Sequence, residues 1–227
     1  VHIHPFDPAE VVYVAGLEGV STRVVLAALH DEGITTLPGG GAEVLAEGVR
    51  EQISPGKCSA AEWLRVMEEA HELGFRTTAT MMFGHVETDE DLVEHFFSLR
   101  DLQDRTGGFT SFVPWSFKPG SSALGRDVPR PAHPGRYVRI IAVARLVLDN
   151  FEHVQSSWFS ENPAAGQLGL LAGADDFGGV LIEENVLRET GHKPRMTVAG
   201  IEQLIRQAGF VPAQRDSHYR IVGTASA

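Results

Sequence analysis

The run Thr77-Thr-Ala-Thr-Met-Met-Phe83 narrows the choice of fold more than any other part of this chain. It is β-branched and apolar on both alternating faces, which suits a strand covered by helices on each side rather than a half-solvated one. Gly84 stops the run, and His85 and Glu87 follow at once. In parallel α/β folds the ligand lies just beyond such strand ends. His85 and Glu87 are therefore candidates for acid–base work or substrate hydrogen bonding, with a capping role competing at Glu87.

The same alternation recurs along the chain. A helix over about 22–32 takes Ser21 as its N-cap, a short strand over 34–37 runs into Pro38-Gly-Gly-Gly41, and Ser59-Ala-Ala-Glu62 forms a capping box for a helix ending near Gly74. Thr88 opens a helix to about Arg105, Phe109 to Phe117 reads as strand, and 118–134 reads as a long irregular loop. A helix over 136–151, a strand over 154–158, a helix capped at Asn162, a short strand ending in 173–179, a helix over 197–208 and a small hairpin over 210–222 complete the pattern. Strands near residues 3, 36, 80, 113, 156 and 173 make about six of the eight units of a (β/α)8 TIM-type barrel. The expected fold is thus α/β, a partial barrel in one domain over 1–227, with barrel units over 1–190 and a C-terminal extension of helix and hairpin over 191–227. An open doubly wound sheet is the alternative. The opening Val1-His-Ile-His lacks a methionine and reads as a chain cut at its beginning, and an open barrel would leave two unpaired strand edges and poor stability.

Composition removes several function classes. A formal net charge of −11 with no run of Lys or Arg disfavours nucleic acid or an anionic membrane as partner. No apolar stretch reaches the roughly 20 residues of a membrane span and no charged-then-apolar leader opens the chain, so the expected location is cytoplasmic. Cys58 is the only cysteine, which rules out an intrachain disulfide and any cysteine-only metal or cluster site in this chain. His2 and His4 alternate by two and, with His85 and Asp175 or Asp176, imitate part of an amidohydrolase metal set. Phe109 to Phe117 carries no histidine and no strand-end lysine follows the glycine turn, so no metal ligand is assigned.

Gly39, Gly40 and Gly41 lack the Lys-Ser/Thr of a phosphate loop, and a tight strand-to-helix turn and a ligand-facing turn are equal readings. Glu43 has the chemistry to accept from an amine or ribose hydroxyls, and Arg50 is either a carboxylate clamp or a solvated helix residue. Gln155 and Trp158, with Trp115, offer an amide and a stacking wall, against a reading as core. Asp175 and Asp176 suit ribose or amine binding as well as a loop cap. His71 reads as a packing histidine, His95 and His30 as ordinary helix residues.

GGGAEVLAEGVREQISPGKCSAAEWLRVMEEAHELGFRTTATMMFGHVET, followed by LRDLQDRTGGFTSFVPWSF, resembles the radical S-adenosylmethionine enzymes of futalosine-dependent menaquinone synthesis and their deazaflavin-synthase relatives. VQSSWFSENPAAGQLGLLAGADDFGG, IEENV and AGFVPAQRDSHY look most like the members that cyclise dehypoxanthine futalosine, rather than those making aminofutalosine or deazaflavin. The resemblance implies a (β/α)8 barrel, S-adenosylmethionine, a 4Fe-4S cluster and an electron donor such as flavodoxin or ferredoxin. It also implies that a deoxyadenosyl radical takes hydrogen from the substrate ribose, that the carbon radical closes onto an aromatic ring, and that a base removes the final proton. On that basis Gly39, Gly40, Gly41, Glu43 and Arg50 are expected to bind the cofactor, His4, Gln155 and Trp158 the nucleoside-like substrate, and His85, Glu87 and Asp175 to serve binding and proton removal. The family's CxxxCxxC is absent from this sequence, and Asp175 stands where the resemblance leads one to expect asparagine. The chain therefore reads as a C-terminal portion needing the missing cluster segment, or as a non-catalytic remnant that binds a nucleoside or a partner.

Overall fold

A computed structural model describes residues 2–183, 188, 191 and 195–224. It divides into two compact units, one of residues 1–82, 87–112 and 147–152, the other of 83–86, 113–146 and 153–227. The expected boundary between residues 190 and 191 abuts positions outside the described ones.

In the first unit, α1 (Pro8–Glu18) starts from a capping box in which Asp7 and Glu10 satisfy each other's backbone amides, with proline in its first turn. Ser21 caps α2 (Thr22–Asp31). After β1 (Thr36–Leu37) and α3 (Glu47–Ile53), the Ser59–Glu62 capping box opens α4 (Ala60–Glu72), which buries Trp63, Val66, Met67 and Ala70 along one stripe. β2 (Arg76–Phe83) lies parallel to β1, with Thr36 opposite Arg76 and Leu37 opposite Thr77. Thr88 and Asp91 box the start of α5 (Asp89–Thr106), whose first turn carries three acids at the positive end of its dipole. Val11, Leu26, Leu37, Val66, Ala70 and Phe75 form a core cluster that joins α1, α2 and α4 to β1. Burying each large side chain contributes about 1.5–3 kcal/mol.

β3 (Phe109–Ser116) follows, then α6 (Ala123–Asp127), α7 (Pro134–Val147), β4 (His153–Val154) and α8 (Pro163–Leu171), whose N-cap is Asn162. Thr197 caps α9 (Val198–Gln207), and β5 (Ala213–Arg215) pairs antiparallel with β6 (Ile221–Thr224) as the expected hairpin. The main sheet runs β1-β2-β3-β4 with helices between consecutive strands, the connection a parallel sheet requires.

Two expected strands are missing from that sheet. Residues 2–6 are irregular, because His2 and His4 bond Thr36 through their side chains instead of laddering. Near residue 173 there is an isolated parallel bridge between Gln155 and Asp176 rather than a strand. The loop expected to be irregular contains the one-turn helix α6, started by the Ser122 hydroxyl. β1 and β4, at the sheet's two ends, are two residues long each, so each edge offers few unpaired groups for aggregation. Among the described residues no single helix is long and apolar enough to cross a membrane.

Two histidines of the first unit are built to be neutral. His71 bonds the hydroxyls of Thr106 and Thr77 at 2.7 and 2.8 Å and packs edge-on to Phe109, as a packing histidine should. His95 departs from its expected role as an ordinary helix residue: it is wholly buried, and its Nδ1 accepts from the Leu45 amide at 3.0 Å. Burial, helped by Arg76, pushes His71 from 6.5 down to about 4, and burial, helped by Arg50, pushes His95 down to about 3. Since the unfolded chain takes protons that the folded chain refuses, stability is whole above about pH 6.5 and is lost as pH falls toward 4 for His71 and 3 for His95. Urea unfolding should give a free energy lower at pH 5 than at pH 7, with His71 alone accounting for about 2 kcal/mol. A His71→Asn variant should flatten the dependence, and an unchanged slope would refute the assignment.

Candidate functional site

The turn leaving β1 is held by side chains from several elements of the first unit. Residues 41–46 are all buried without belonging to a helix or strand, an unusual state for a connection, because every peptide group in it needs a partner. Those partners are specific side chains. The Gly39 amide donates to Thr78 Oγ1 at 2.9 Å, the Gly39 carbonyl accepts from Thr80 Oγ1, and the Gly40 carbonyl accepts from Trp63 Nε1 at 2.9 Å. Arg50 donates to the carbonyls of Gly41 at 3.0 Å and Ala42 at 2.6 Å, and also to the Cys58 carbonyl. The Glu43 carbonyl accepts from the Met82 amide at 2.9 Å.

Of the residues expected at the cofactor, Gly39, Gly40, Gly41 and Glu43 lie in this turn and Arg50 lies in α3. A Cβ on Gly39 would overlap the Thr78 carbonyl, and one on Gly40 would press on the Asp7 carboxylate. Both close approaches are therefore made by the protein's own atoms, the tight-turn reading of the glycines. Gly41 has φ +72. Arg50, only 2 % exposed, serves backbone carbonyls of the turn and is no solvated helix arginine. Glu43 is different. It holds φ +48, a left-handed conformation that costs a non-glycine residue on the order of 1 kcal/mol and collects at functional sites. Its side chain is 11 % exposed and pairs through Oε1 with Lys57 Nζ at 2.7 Å. His4 reaches the same neighbourhood: its Nδ1 meets Thr36 Oγ1 at 2.8 Å, directly before the turn, and burial pushes its pKa to about 4. Glu87 is half-buried at the start of α5.

The second unit holds the other expected residues. His85 follows the end of β2, accepts from the Val86 amide through Nδ1 at 2.8 Å, and lies edge-on to Phe117 with ring centres 6.2 Å apart. Gln155 is half-buried in the bridge to Asp176. Trp158, 2 % exposed, turns no open face to a ligand, yet its Nε1 has no hydrogen-bond partner among the described residues. Asp175 accepts from Arg145 at 2.5 Å, from His153 at 2.7 Å and from the Val154 amide at 2.8 Å, which fastens β4 to α7. Asp176 pairs with Arg215 of the hairpin. Arg215 also covers the Tyr219 ring at 3.9 Å, and Tyr219 stacks on His153.

Reading the sequence missed a second strand-end group in this unit. Glu161 Oε1 accepts from the amide and hydroxyl of Ser116 at 2.8 Å each, and Lys118 Nζ lies 2.5 Å from Ser116 Oγ and 3.3 Å from Glu161. Forty-five residues separate Ser116 from Glu161, so local pattern gave no signal.

An iron–sulfur cluster does not fit these residues. Cys58 is the single thiol of the sequence; it is buried, its pKa is raised chiefly by that burial, and its carbonyl is committed to Arg50. Three closely spaced thiolates are needed, and among the described residues no group of three His, Cys, Asp or Glu side chains is placed to hold a metal. Glu43 carries a carboxylate, the acceptor chemistry that an amine or ribose hydroxyl requires, with Oε1 already paired to Lys57.

Residues 106–226 match the CofH/MqnC C-terminal region, and residues 17–99 match the radical SAM superfamily. A 5-amino-6-(D-ribitylamino)uracil–L-tyrosine 4-hydroxyphenyl transferase of Methanoculleus marisnigri is 42 % identical over 98 % of this chain and 62 % of its own length. A cyclic dehypoxanthine futalosine synthase of Streptomyces coelicolor is 43 % identical over 96 % of this chain and 54 % of its own length. An aminodeoxyfutalosine synthase of Thermus thermophilus is 40 % identical over 98 % of this chain and 61 % of its own length. The chain thus spans between 54 % and 62 % of the length of these relatives.

Arg50 supplies donors to three carbonyls in a fixed fork that a lysine cannot reproduce. Arg50→Lys should lower the unfolding free energy by about 3 kcal/mol, because buried carbonyls lose their donors. Equilibrium denaturation measures it; a change below about 0.5 kcal/mol, the scale of a surface substitution, would show that the clamp is dispensable.

Proposed function

The chain belongs to the radical S-adenosylmethionine family, in the group that carries the CofH/MqnC C-terminal region, and we propose that it supplies the substrate-side part of an enzyme of futalosine-dependent menaquinone synthesis. The proposed reaction is the cyclisation of dehypoxanthine futalosine to its spiro form. The observation that carries the reading is Glu43, a buried carboxylate in a strained left-handed conformation at a strand end, within a chain that matches both family regions. The choice of substrate rests on VQSSWFSENPAAGQLGLLAGADDFGG and AGFVPAQRDSHY and on the 43 % identical futalosine-cyclising relative. A second reading, transfer of the tyrosine hydroxyphenyl group to ribitylaminouracil, is supported by the 42 % identical transferase.

In the proposed whole protein the parallel sheet is part of a (β/α)8 barrel, and the cluster-bearing CxxxCxxC lies in the part of the longer relatives outside the match, where a small donor such as flavodoxin or ferredoxin delivers the electron. S-adenosylmethionine, when bound and reduced there, supplies the hydrogen-abstracting species. This chain's residues do the positioning. Glu43 accepts from the methionine amine or ribose hydroxyls of the cofactor, and Arg50, through the Gly41 and Ala42 carbonyls, keeps the Glu43 backbone where it is. Gly39 brings the turn close to β2, and Gly40 and Gly41 bring it close to Asp7 and Ala9 at the start of α1. His4 and Gln155 are assigned to the nucleoside, and Trp158, 2 % exposed with its Nε1 buried, to a supporting part in the core. For proton removal the candidates are His85, Glu87 and Asp175, the last with oxygens that already take three donors.

The test joins this chain to the cluster-bearing segment of the Streptomyces coelicolor relative and assays it anaerobically with S-adenosylmethionine and reductant. 5′-Deoxyadenosine and the cyclic product should form only with dehypoxanthine futalosine. Turnover only with ribitylaminouracil and tyrosine would select the second reading. An assembled cluster with no turnover on either would make the chain a non-catalytic remnant. In the joined protein Glu43→Gln should weaken S-adenosylmethionine binding about tenfold, the loss of one charge-assisted hydrogen bond, as read by calorimetry.

A further inference from the structure

We propose that Lys118 is a ligand-binding residue, donating from its ammonium to an acceptor oxygen, carboxylate or carbonyl, of the small-molecule substrate. Three observations in the second unit carry this. The first is position: Ser116 is the last residue of β3, Lys118 lies two residues beyond it, and ligands of parallel α/β proteins sit beyond such ends. The second is energetic. The side chains of Lys118 and Glu161 are 17 % and 5 % exposed, and a pair so far from water gains little over well-packed apolar residues, so stability alone does not account for it. The third is hydrogen-bond arithmetic. A lysine ammonium has three donors, and two are accounted for, on Ser116 Oγ at 2.5 Å and Glu161 Oε1 at 3.3 Å. The third has no partner among the described residues.

The rest of the cluster is arranged to hold the ammonium in place. Glu161 Oε1 takes the Ser116 amide, the Ser116 and Ser160 hydroxyls and the ammonium, and Oε2 shares the Ser116 hydroxyl. Ser116 is 2 % exposed and cannot swing away. The more exposed and less committed group is thus the cation, and the cluster offers a proton donor, which selects an acceptor atom on the ligand. The matching class is a small molecule that presents a carboxylate or carbonyl oxygen to the ammonium. Only the naming of this ligand as substrate rests on the function proposed above.

The test needs no cluster and no turnover. Benzoate and its neutral counterpart benzamide are titrated into the chain by ligand-observed NMR, and reductive methylation of Lys118 is followed by mass spectrometry with and without each probe. The expected result is binding that weakens at least tenfold in Lys118→Met, with slower methylation of Lys118 in the wild type when the probe is present. Benzoate binding alone assigns a carboxylate, and binding of both assigns a carbonyl oxygen. Absence of binding by either probe, equal binding to Lys118→Met, or a methylation rate indifferent to both would overturn the proposal. The methylation readout on wild-type protein decides the matter even when Lys118→Met does not fold. Failure here leaves the turnover test of the proposed function untouched, and the reverse holds too.

Discussion

The Arg50 guanidinium is the interaction on which the buried turn of the first unit depends. A connection whose residues 41–46 are all buried has carbonyls that water cannot reach, and each unpaired one costs about 1–3 kcal/mol. Arg50 resolves three at once, two inside the turn and one at Cys58, and so ties the start of α4 to the end of β1. With those carbonyls fixed, the backbone has little choice but left-handed conformations at Gly41 and Glu43. Glycine accepts that freely and glutamate does not, so the strain at Glu43 is sustained by the clamp around it. The same bonds engage the Cys58 carbonyl, in the connection between α3 and α4.

Much of the fold was legible where the signal is local. The capping residues Ser21, Ser59, Thr88, Asn162 and Thr197 all cap as their sequence context dictates, since a side chain reaching an amide three residues on needs no distant partner. α1 carried an equally plain signature, Asp7-Pro8-Ala9-Glu10, overlooked because the alternating His2 and His4 invited a strand. Alternation is necessary for a strand and insufficient: a ladder also needs a neighbour at the right distance. His2 and His4 found the Thr36 hydroxyl instead of a backbone, and the segment near residue 173 found one bridge to Gln155.

The site was legible in position and less so in role. Three glycines after a strand announce a close approach but not what approaches, and here the answer at Gly39 is the Thr78 carbonyl of the adjacent strand. Arg50 sits in a seven-residue helix too short to show which face is buried, so its commitment to carbonyls was invisible. His95 looked like any helical histidine because its partner, Leu45, is fifty residues away. Ser116, Lys118 and Glu161 meet only because β3 and the residues following β4 end near one another.

That division bears on why relatives of nearly equal identity carry names for different reactions. A turn whose backbone bonds go to Thr78, Thr80, Trp63, Arg50 and His95 spends those side chains on the fold itself. Identity accumulated in such a turn says nothing about what is transformed. Discrimination between an aromatic nucleoside, a tyrosine and a ribitylaminouracil has to come from groups with an uncommitted donor or acceptor, since a ligand is distinguished by the bonds it completes. Among the described residues such groups include the third proton of Lys118 and the Glu43 oxygen not engaged by Lys57. A specificity difference among these relatives is therefore to be sought at positions such as 118, which the overall identity scarcely weighs.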